Sequence, residues 1–228
     1  LWLACILCML IPSLASADNA YTRQKVFELN DNSLSYTINA AVRVLEDPSG
    51  ELALKDVIQP EWASQFKTAK KGPLNLGYSD SAFWIKLPVR YTGKQDMMEW
   101  WYHLDLPLLE YSELHLMVGD ARSPDRAISK SMEYETPLHK RDVEHVTQVY
   151  RFSLNKGEQA TIYLKIKNNF SIHLPLSIYT PEGFAEHIAV EELLYGAFIG
   201  AILIMTAYNL FMFISVREGS FLFYILYM

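Results

Sequence analysis

Phe83-Trp84-Ile85-Lys86-Leu87-Pro88-Val89 decides the fold class. Successive side chains of an extended chain point to opposite faces, so Phe83, Ile85, Leu87 and Val89 share one side while Trp84 and Lys86 share the other. An apolar residue at every second position predicts a strand half buried against a core.

The same alternation recurs along the chain. Tyr102, Leu104 and Leu106 oppose Trp101, His103 and Asp105; Leu114, Leu116 and Val118 oppose Glu113 and His115. Tyr150, Phe152 and Leu154 oppose Arg151 and Ser153, and Ile162, Leu164 and Ile166 oppose Tyr163, Lys165 and Lys167. Further strands are expected at 25–30, 36–45 and 171–179. Residues 54–67 read as short helical turns broken at Pro60, 120–147 as a long connection, and 181–192 as a short helical approach to the membrane. Seven or eight strands with turns such as Asp47-Pro48-Ser49-Gly50 and Asn155-Lys156-Gly157-Glu158 predict a mainly β domain, a β-sandwich of jelly-roll type.

The two ends of the 228-residue chain are different in kind. Residues 1–17 are apolar and close on Ala15-Ser16-Ala17, the small-x-small pattern of a signal peptide cleaved after Ala17; the alternative is an uncleaved N-terminal anchor. With no initiating Met and no basic n-region, the natural chain is expected to begin a few residues earlier. Both cysteines, Cys5 and Cys8, fall in this segment, leaving the exported part without disulfides, thiol catalysis or cysteine-based metal sites. At the other end 193–216 carries no charge, and at ~1.5 Å per residue 24 residues cross a ~30 Å hydrocarbon core with some tilt. Arg217-Glu218-Gly219 ends this first span, and 220–228 begins a second, cut short by the end of the chain. Gly196 and Gly200 form a G-x-x-x-G pair that lets a neighbouring backbone approach closely; the alternative is the ordinary glycine content of a membrane helix. A homodimer is a further partner to consider. Tyr208 and Asn209 are polar groups at depth and should face other helices.

Between the ends, 18–190 carries 19 of the 20 Lys and Arg and 23 of the 26 Asp and Glu, a mildly acidic balance that gives no electrostatic basis for nucleic-acid binding. No G-x-S-x-G elbow, H-E-x-x-H pair, phosphate-binding loop or dinucleotide fingerprint is present, and no catalytic residue, cofactor or metal site is expected. His139 and His145 read as part of a solvated loop. Asp105 and Glu113 are the one carboxylate pair worth testing for glycoside hydrolysis. Three strands place an aromatic and a polar group two apart on the outward face: Trp84 with Lys86, Trp101 with His103, and Tyr163 with Lys165. Such a face can stack on a sugar ring, with Lys, His and Asp105 bonding its hydroxyls or pairing with a carboxylate. The competing reading is that the long 120–147 connection covers this sheet face and buries these aromatics while the lysines reach outward.

Leu45-Glu46-Asp47, Leu76-Gly77-Tyr78-Ser79, Ala82-Phe83-Trp84-Ile85-Lys86-Leu87, Tyr163-Leu164-Lys165-Ile166 and Leu174-Pro175-Leu176, followed by Tyr195-Gly196-Ala197, Tyr208-Asn209-Leu210-Phe211 and Phe223-Tyr224-Ile225-Leu226-Tyr227, carry a resemblance in order and spacing. From about residue 36 onward the chain resembles the seven-transmembrane receptors with diverse intracellular signalling modules, the 7TMR-DISM group, in their type-2 extracellular domain and membrane block. The resemblance implies a periplasmic jelly roll similar to carbohydrate-binding modules, seven membrane helices in the bacterial inner membrane, and a cytoplasmic output such as a diguanylate cyclase or histidine kinase. Arg141 fits the family's basic position. Lys86 and Lys165 stand where the family often has Arg, and lysine lacks the planar two-point grip on a carboxylate. The expected function is ligand sensing, with a small extracytoplasmic molecule such as a carbohydrate as partner; the alternative is a membrane-anchored protein-interaction module.

Overall fold

A computed structural model describes residues 25–69 and 72–227; the signal-peptide expectation for 1–17 lies outside them. In chain order the elements are β1 (Phe27–Leu29), β2 (Ser35–Thr37), β3 (Arg43–Asp47), α1 (Leu54–Val57), α2 (Pro60–Ala63), β4 (Lys67–Thr68), β5 (Leu74–Gly77), β6 (Ala82–Tyr91), β7 (Met97–Leu104), β8 (Tyr111–Asp120), β9 (Ser123–Glu133), β10 (Gln148–Asn155), β11 (Gln159–Lys167), β12 (Ile172–Leu174), β13 (Leu176–Tyr179), α3 (Pro181–Val216) and α4 (Gly219–Tyr227).

The strands form two principal sheets. One runs β4-β3-β6-β11-β8-β9, with β1 joined in parallel to β6; the other runs β10-β7-β13-β2; β5 and β12 pair separately. The apolar positions read from the alternation meet between the sheets. Phe83, Ile85, Leu87 and Val89, with Leu114, Leu116, Val118, Ile162, Leu164 and Ile166, pack in one buried cluster with Tyr102, Leu104, Tyr150, Phe152 and Leu154. Removal of this apolar surface from water is the main driving force for the β-sandwich.

Two expected strands are divided. The 36–45 stretch changes sheets: β2 pairs with β13 and β3 with β6, and in the crossing the Asn39 side chain accepts a 2.7 Å bond from the Leu176 N–H. The 171–179 stretch breaks at Pro175, which has no N–H to give a ladder.

The expected 120–147 connection is instead largely β9, paired with β8 along its length. Its half-buried positions include Arg126 and Lys130, so it lacks an apolar alternation. The two cations reach across the open side of the sandwich. Arg126 donates to Glu158 at 3.1 Å and to the Ser153 carbonyl at 2.9 Å, and Lys130 donates to Asp142 and to the Arg151 carbonyl. Charged side chains placed this way also guard a sheet edge against pairing with another chain.

The outer face of the larger sheet is covered. Leu45, Val57, Phe66, Trp84, Met117 and Tyr163 form a second buried cluster, joined by Leu52, Leu54, Ile58 and Trp62. The cover is therefore the 50–66 segment and not the expected 120–147 connection, most of which is itself a strand of this sheet, with Pro60 opening α2 where its missing N–H does no harm. Asp47 shapes the turn before it, accepting from the Ser49 hydroxyl and from the Gly50 and Leu52 N–H groups. Gly50 takes φ +70°, a left-handed conformation that suits glycine.

Helix α3 is continuous over 36 residues, and its most apolar window has a mean hydropathy of 2.1 and no part buried within the chain. Among the described residues it is the one helix long and apolar enough to cross a bilayer. Arg217, at φ 57°, separates it from α4. A Cβ added at Gly196 or Gly200 would meet nothing within 4 Å, so both stand in open space among the described residues. Tyr208 is exposed, and the Asn209 amide donates to its own helix at the Met205 carbonyl.

Trp84 fixes the cover to the sheet, so Trp84→Ala should destabilise the domain by ~3–5 kcal/mol, the range for deleting a large buried aromatic. Urea unfolding followed by circular dichroism checks this; a loss below ~1 kcal/mol, typical of a mild surface change, would show that the second cluster contributes little.

Candidate functional site

The eight candidate ligand-binding residues do not form one face. They divide between the two sheets.

Trp84, Lys86, Tyr163 and Lys165 lie on the larger sheet beneath the 50–66 cover. Trp84 and Tyr163 are almost fully buried, which corrects their reading as an exposed stacking surface. Trp84 stacks on His115 with ring centres 5.9 Å apart, and the Lys165 ammonium sits 5.5 Å from the indole centre. Lys165 donates 2.8 Å bonds to the carbonyls of Gly50 and Leu52. It is a strut for the cover and not a free ligand contact. Lys86 stands 5.5 Å from the Tyr163 ring and 5.8 Å from Phe66. Burial first, and then the Arg43 charge, hold its pKa below the usual lysine value. Lys86 and Tyr163 border a cavity of about 380 Å³ with Pro60, Asp120 and Arg122.

Trp101, His103, Asp105 and Arg141 gather on the smaller sheet, where α3 docks. Thr180 caps the helix, its hydroxyl accepting from the Gly183 N–H at 3.0 Å, and Pro181 occupies the first turn. A Cβ at Gly183 would lie 2.2 Å from the Leu34 carbonyl oxygen, so only glycine lets the helix come this close. Phe184 then enters a ring of aromatics, with centres 5.2 Å from Trp101, 5.4 Å from His103, 5.3 Å from His145 and 5.7 Å from Tyr179. One turn later His187 stacks on Tyr179 at 5.2 Å and faces Glu191 at 3.5 Å.

The histidines tie this junction to the 134–147 loop. Thr147 Oγ1 bonds both His103 Nε2 at 2.8 Å and His145 Nδ1 at 2.6 Å. His103 is buried, not outward and free; burial, with His145 and His187 adding, pushes its pKa down to about 3. Burial also lowers His145, against the opposing pull of Glu191 and Asp105. Arg141 gives its guanidinium to the carbonyls of Thr136, His145, Val146 and Tyr134. Its role is to shape the loop. Asp105 is exposed and acts on His145 and Tyr179 through its charge.

Asp105 and Glu113 do not face one another: Asp105 follows β7 of the smaller sheet, whereas Glu113 lies on β8 of the larger one, beside Tyr111 and His115. His139 stays in an exposed turn while His145 joins the junction. Phe184, His187 and Gly183 were not among the expected site residues. Thr180-Pro181 is a legible helix start, but nothing local to it says that the helix will lie back on the sheet.

The cluster predicts a pH dependence. Unfolded, His103 takes up a proton near 6.5; folded, it resists until about 3. Stability from this group is complete above the unfolded value and falls as pH drops through that window. The thermal midpoint of the bilayer-embedded chain should decline between about pH 7.5 and pH 5, and His103→Gln should flatten the slope. An unchanged slope in the variant would show that His103 stays uncoupled from folding.

A family model described as 7TMR-DISM extracellular 2 matches residues 39–180, and one described as 7TM diverse intracellular signalling matches 191–228. No curated protein matches the chain. Among solved structures, TmCBM61 in complex with beta-1,4-galactotriose aligns with 62% of this chain and 84% of that chain, at 11% identity and a TM-score of 0.26. The two matched segments adjoin where α3 leaves the sandwich, and the chain belongs to the 7TMR-DISM family, with that family's extracellular domain joined to its membrane helices.

Proposed function

We propose that the sandwich is the ligand-sensing input module of a bacterial signalling receptor, facing the periplasm with α3 in the inner membrane, 1–17 as a removed leader, and a small molecule of carbohydrate type as ligand. The observation that carries this reading is the unbroken path from strand to membrane: β13 passes through the Thr180 cap into one helix that first packs on the sheet through Phe184 and then runs on to Val216. A helix without a break transmits displacement along its axis. Gly196, Gly200, Tyr208 and Asn209 then offer a surface to further helices or to a second copy, and an output domain of cyclase or kinase type reads the resulting arrangement. A ligand shifts such a receptor only if it binds two arrangements unequally.

With the expected stacking surface buried, the ligand is better placed at the open edge of the larger sheet. A cleft of about 880 Å³ there is lined by Trp62, Glu46, Ser64, Gln65, Lys67 and Asn75, among others. The half-buried Trp62 presents part of its indole, and the amides and carboxylate around it match the hydroxyl groups of a sugar ring.

Calorimetric titration of the bilayer-embedded chain with a panel of neutral oligosaccharides and uronates tests this. One of them should bind, and Trp62→Ala should weaken it roughly tenfold, the equivalent of ~1.4 kcal/mol, measured at a temperature where circular dichroism shows the variant folded. Binding unaffected by Trp62→Ala would move the site elsewhere. No binding across the panel, with specific capture of a periplasmic protein instead, would favour the interaction module.

A further inference from the structure

Helix α3 starts at one end of the sandwich and leaves from the other. In the ladder between β13 and β7, Leu176 pairs with Leu104 and Tyr179 with Trp101, so β13 runs toward the Trp101 end. After Pro181 the chain turns back over the same sheet: Phe184 meets Trp101 and His103, and Glu191 lies within electrostatic reach of His145. His145 stands just before Gln148, which pairs with Leu104. The end from which α3 departs is therefore the one bearing the 105–110, 134–147 and 168–171 loops.

This fixes the depth of those loops. Glu191 and Glu192 are the last charges before 193–216. Hydrocarbon then begins about two residues past Glu191, ~3 Å along the helix at ~1.5 Å per residue. The polar headgroup layer on each side of a bilayer is some 5–7 Å deep, from the difference between the whole bilayer and its core. A loop held level with Glu191 is within that layer.

The side chains that these loops expose suit it. Leu108 is 55% exposed, Tyr134 52%, Leu138 48% and Val146 63%. Single exposed apolar residues are ordinary on protein surfaces, but four on adjoining loops at one end form a patch of the kind that marks an interaction surface. The same loops carry Asp105, Glu110, Glu135, Asp142 and Glu144 against Lys140 and Arg141, an acidic balance that gives no attraction to anionic headgroups, so the contact is apolar. The loop is also held in shape, because Arg141 bonds the carbonyls of both Tyr134 and Val146. A tyrosine among aliphatic residues fits the boundary between headgroups and chains.

We infer that this end of the sandwich, through Leu108, Tyr134, Leu138 and Val146, rests in the lipid headgroup layer of the membrane that α3 crosses. The occupant is set by continuity: the helix that runs beside the 134–147 loop passes into the bilayer about two residues beyond Glu191. The inference rests on α3 spanning the membrane and is independent of what the sandwich senses. It gives the domain two attachments to the membrane, one through α3 and one through the loops.

The test uses the full chain with Cys5→Ser and Cys8→Ser, carrying a single fluorophore at Val146→Cys, Leu138→Cys, Lys156→Cys or Leu203→Cys. Each is reconstituted in vesicles of phosphatidylcholine and phosphatidylglycerol with nitroxide either on the headgroups or in the acyl chains. Lys156 lies in the turn after β10, at the far end of the sandwich, roughly 26 Å away at ~3.3 Å per strand residue. Headgroup nitroxide should quench labels at 146 and 138 at least ~3-fold more than at 156, as the depth argument requires. Acyl-chain nitroxide should quench 203. Quenching at 203 with 146 and 138 no better quenched than 156 would overturn the lipid contact while leaving the span intact. Protection of 146 from an aqueous quencher without nitroxide quenching would also overturn it, since a protein would then cover the patch. No quenching at 203 would remove the membrane span and the inference with it.

Discussion

Burial of the larger sheet on both faces is the constraint on which the rest of the molecule depends. Strands β6 and β11 put Phe83, Ile85, Leu87, Ile162 and Leu164 into the sandwich core, and Trp84 and Tyr163 under the 50–66 segment. A sheet clothed on two sides needs something to hold the second cover, and α1 and α2 are too short to be stable alone. The Asp47-organised turn and the Lys165 bonds to Gly50 and Leu52 anchor it. The smaller sheet is treated differently: its outer face is occupied by α3, around the Trp101, His103 and Tyr179 side chains. The sandwich is in this sense four layers, with a short covering segment on one side and a membrane helix on the other.

This arrangement explains which parts could be read from the sequence. Alternation with period two reports that one face is buried, and wherever it appeared the inward set was found in the core. It does not report what lies on the opposite face. Trp84 and Tyr163 looked outward because the cover comes from the 50–66 segment, well before both in the chain, and long-range contacts of that kind leave no local pattern. His103 was misread for the same reason, its neighbours being Phe184 and His187. Strand β9 was hidden by an inner face bearing Arg126 and Lys130; only the positions of Glu158 and Asp142 make those charges tolerable there. The helices were more legible. The charge-free run and the Pro60 break are local properties: Pro60 opens α2, and the run lies within α3, which is one helix from Pro181 and not an approach followed by a separate span.

The junction differs from an ordinary domain linker. Linkers that permit free domain motion are exposed, polar and poor in contacts. Here the connection has no spare length: Thr180 both ends the last strand's ladder, donating from its N–H to the Leu34 carbonyl, and caps the helix. Gly183 brings that helix within contact of the backbone at Leu34. The first turns are then clamped by rings and not by charges, and ring contacts are largely insensitive to salt. His103 and His145 are bridged within the clamp through Thr147, and burial lowers the pKa of both. The rigidity of the clamp should therefore vary with proton concentration more than with ionic strength.

A rigid junction restricts how a sensing event can travel. If the sandwich were hinged to α3, ligand binding could reorient the domain and leave the helix where it was. With Phe184 seated among Trp101, His103, His145 and Tyr179, a rotation of the smaller sheet and a rotation of the first turns of α3 are one motion. Packed side chains resist continuous deformation and instead favour discrete arrangements. A cleft at the edge of the larger sheet lies on the far side of the sandwich core from α3, so its influence must pass between the sheets. The side chains able to carry it are the large rings at their interface. Trp100 and Tyr102 of β7, both fully buried, share the core with Phe83, which also lines the cleft. Phe83 thus belongs both to the lining of the proposed ligand space and to the core cluster that holds Trp100 and Tyr102.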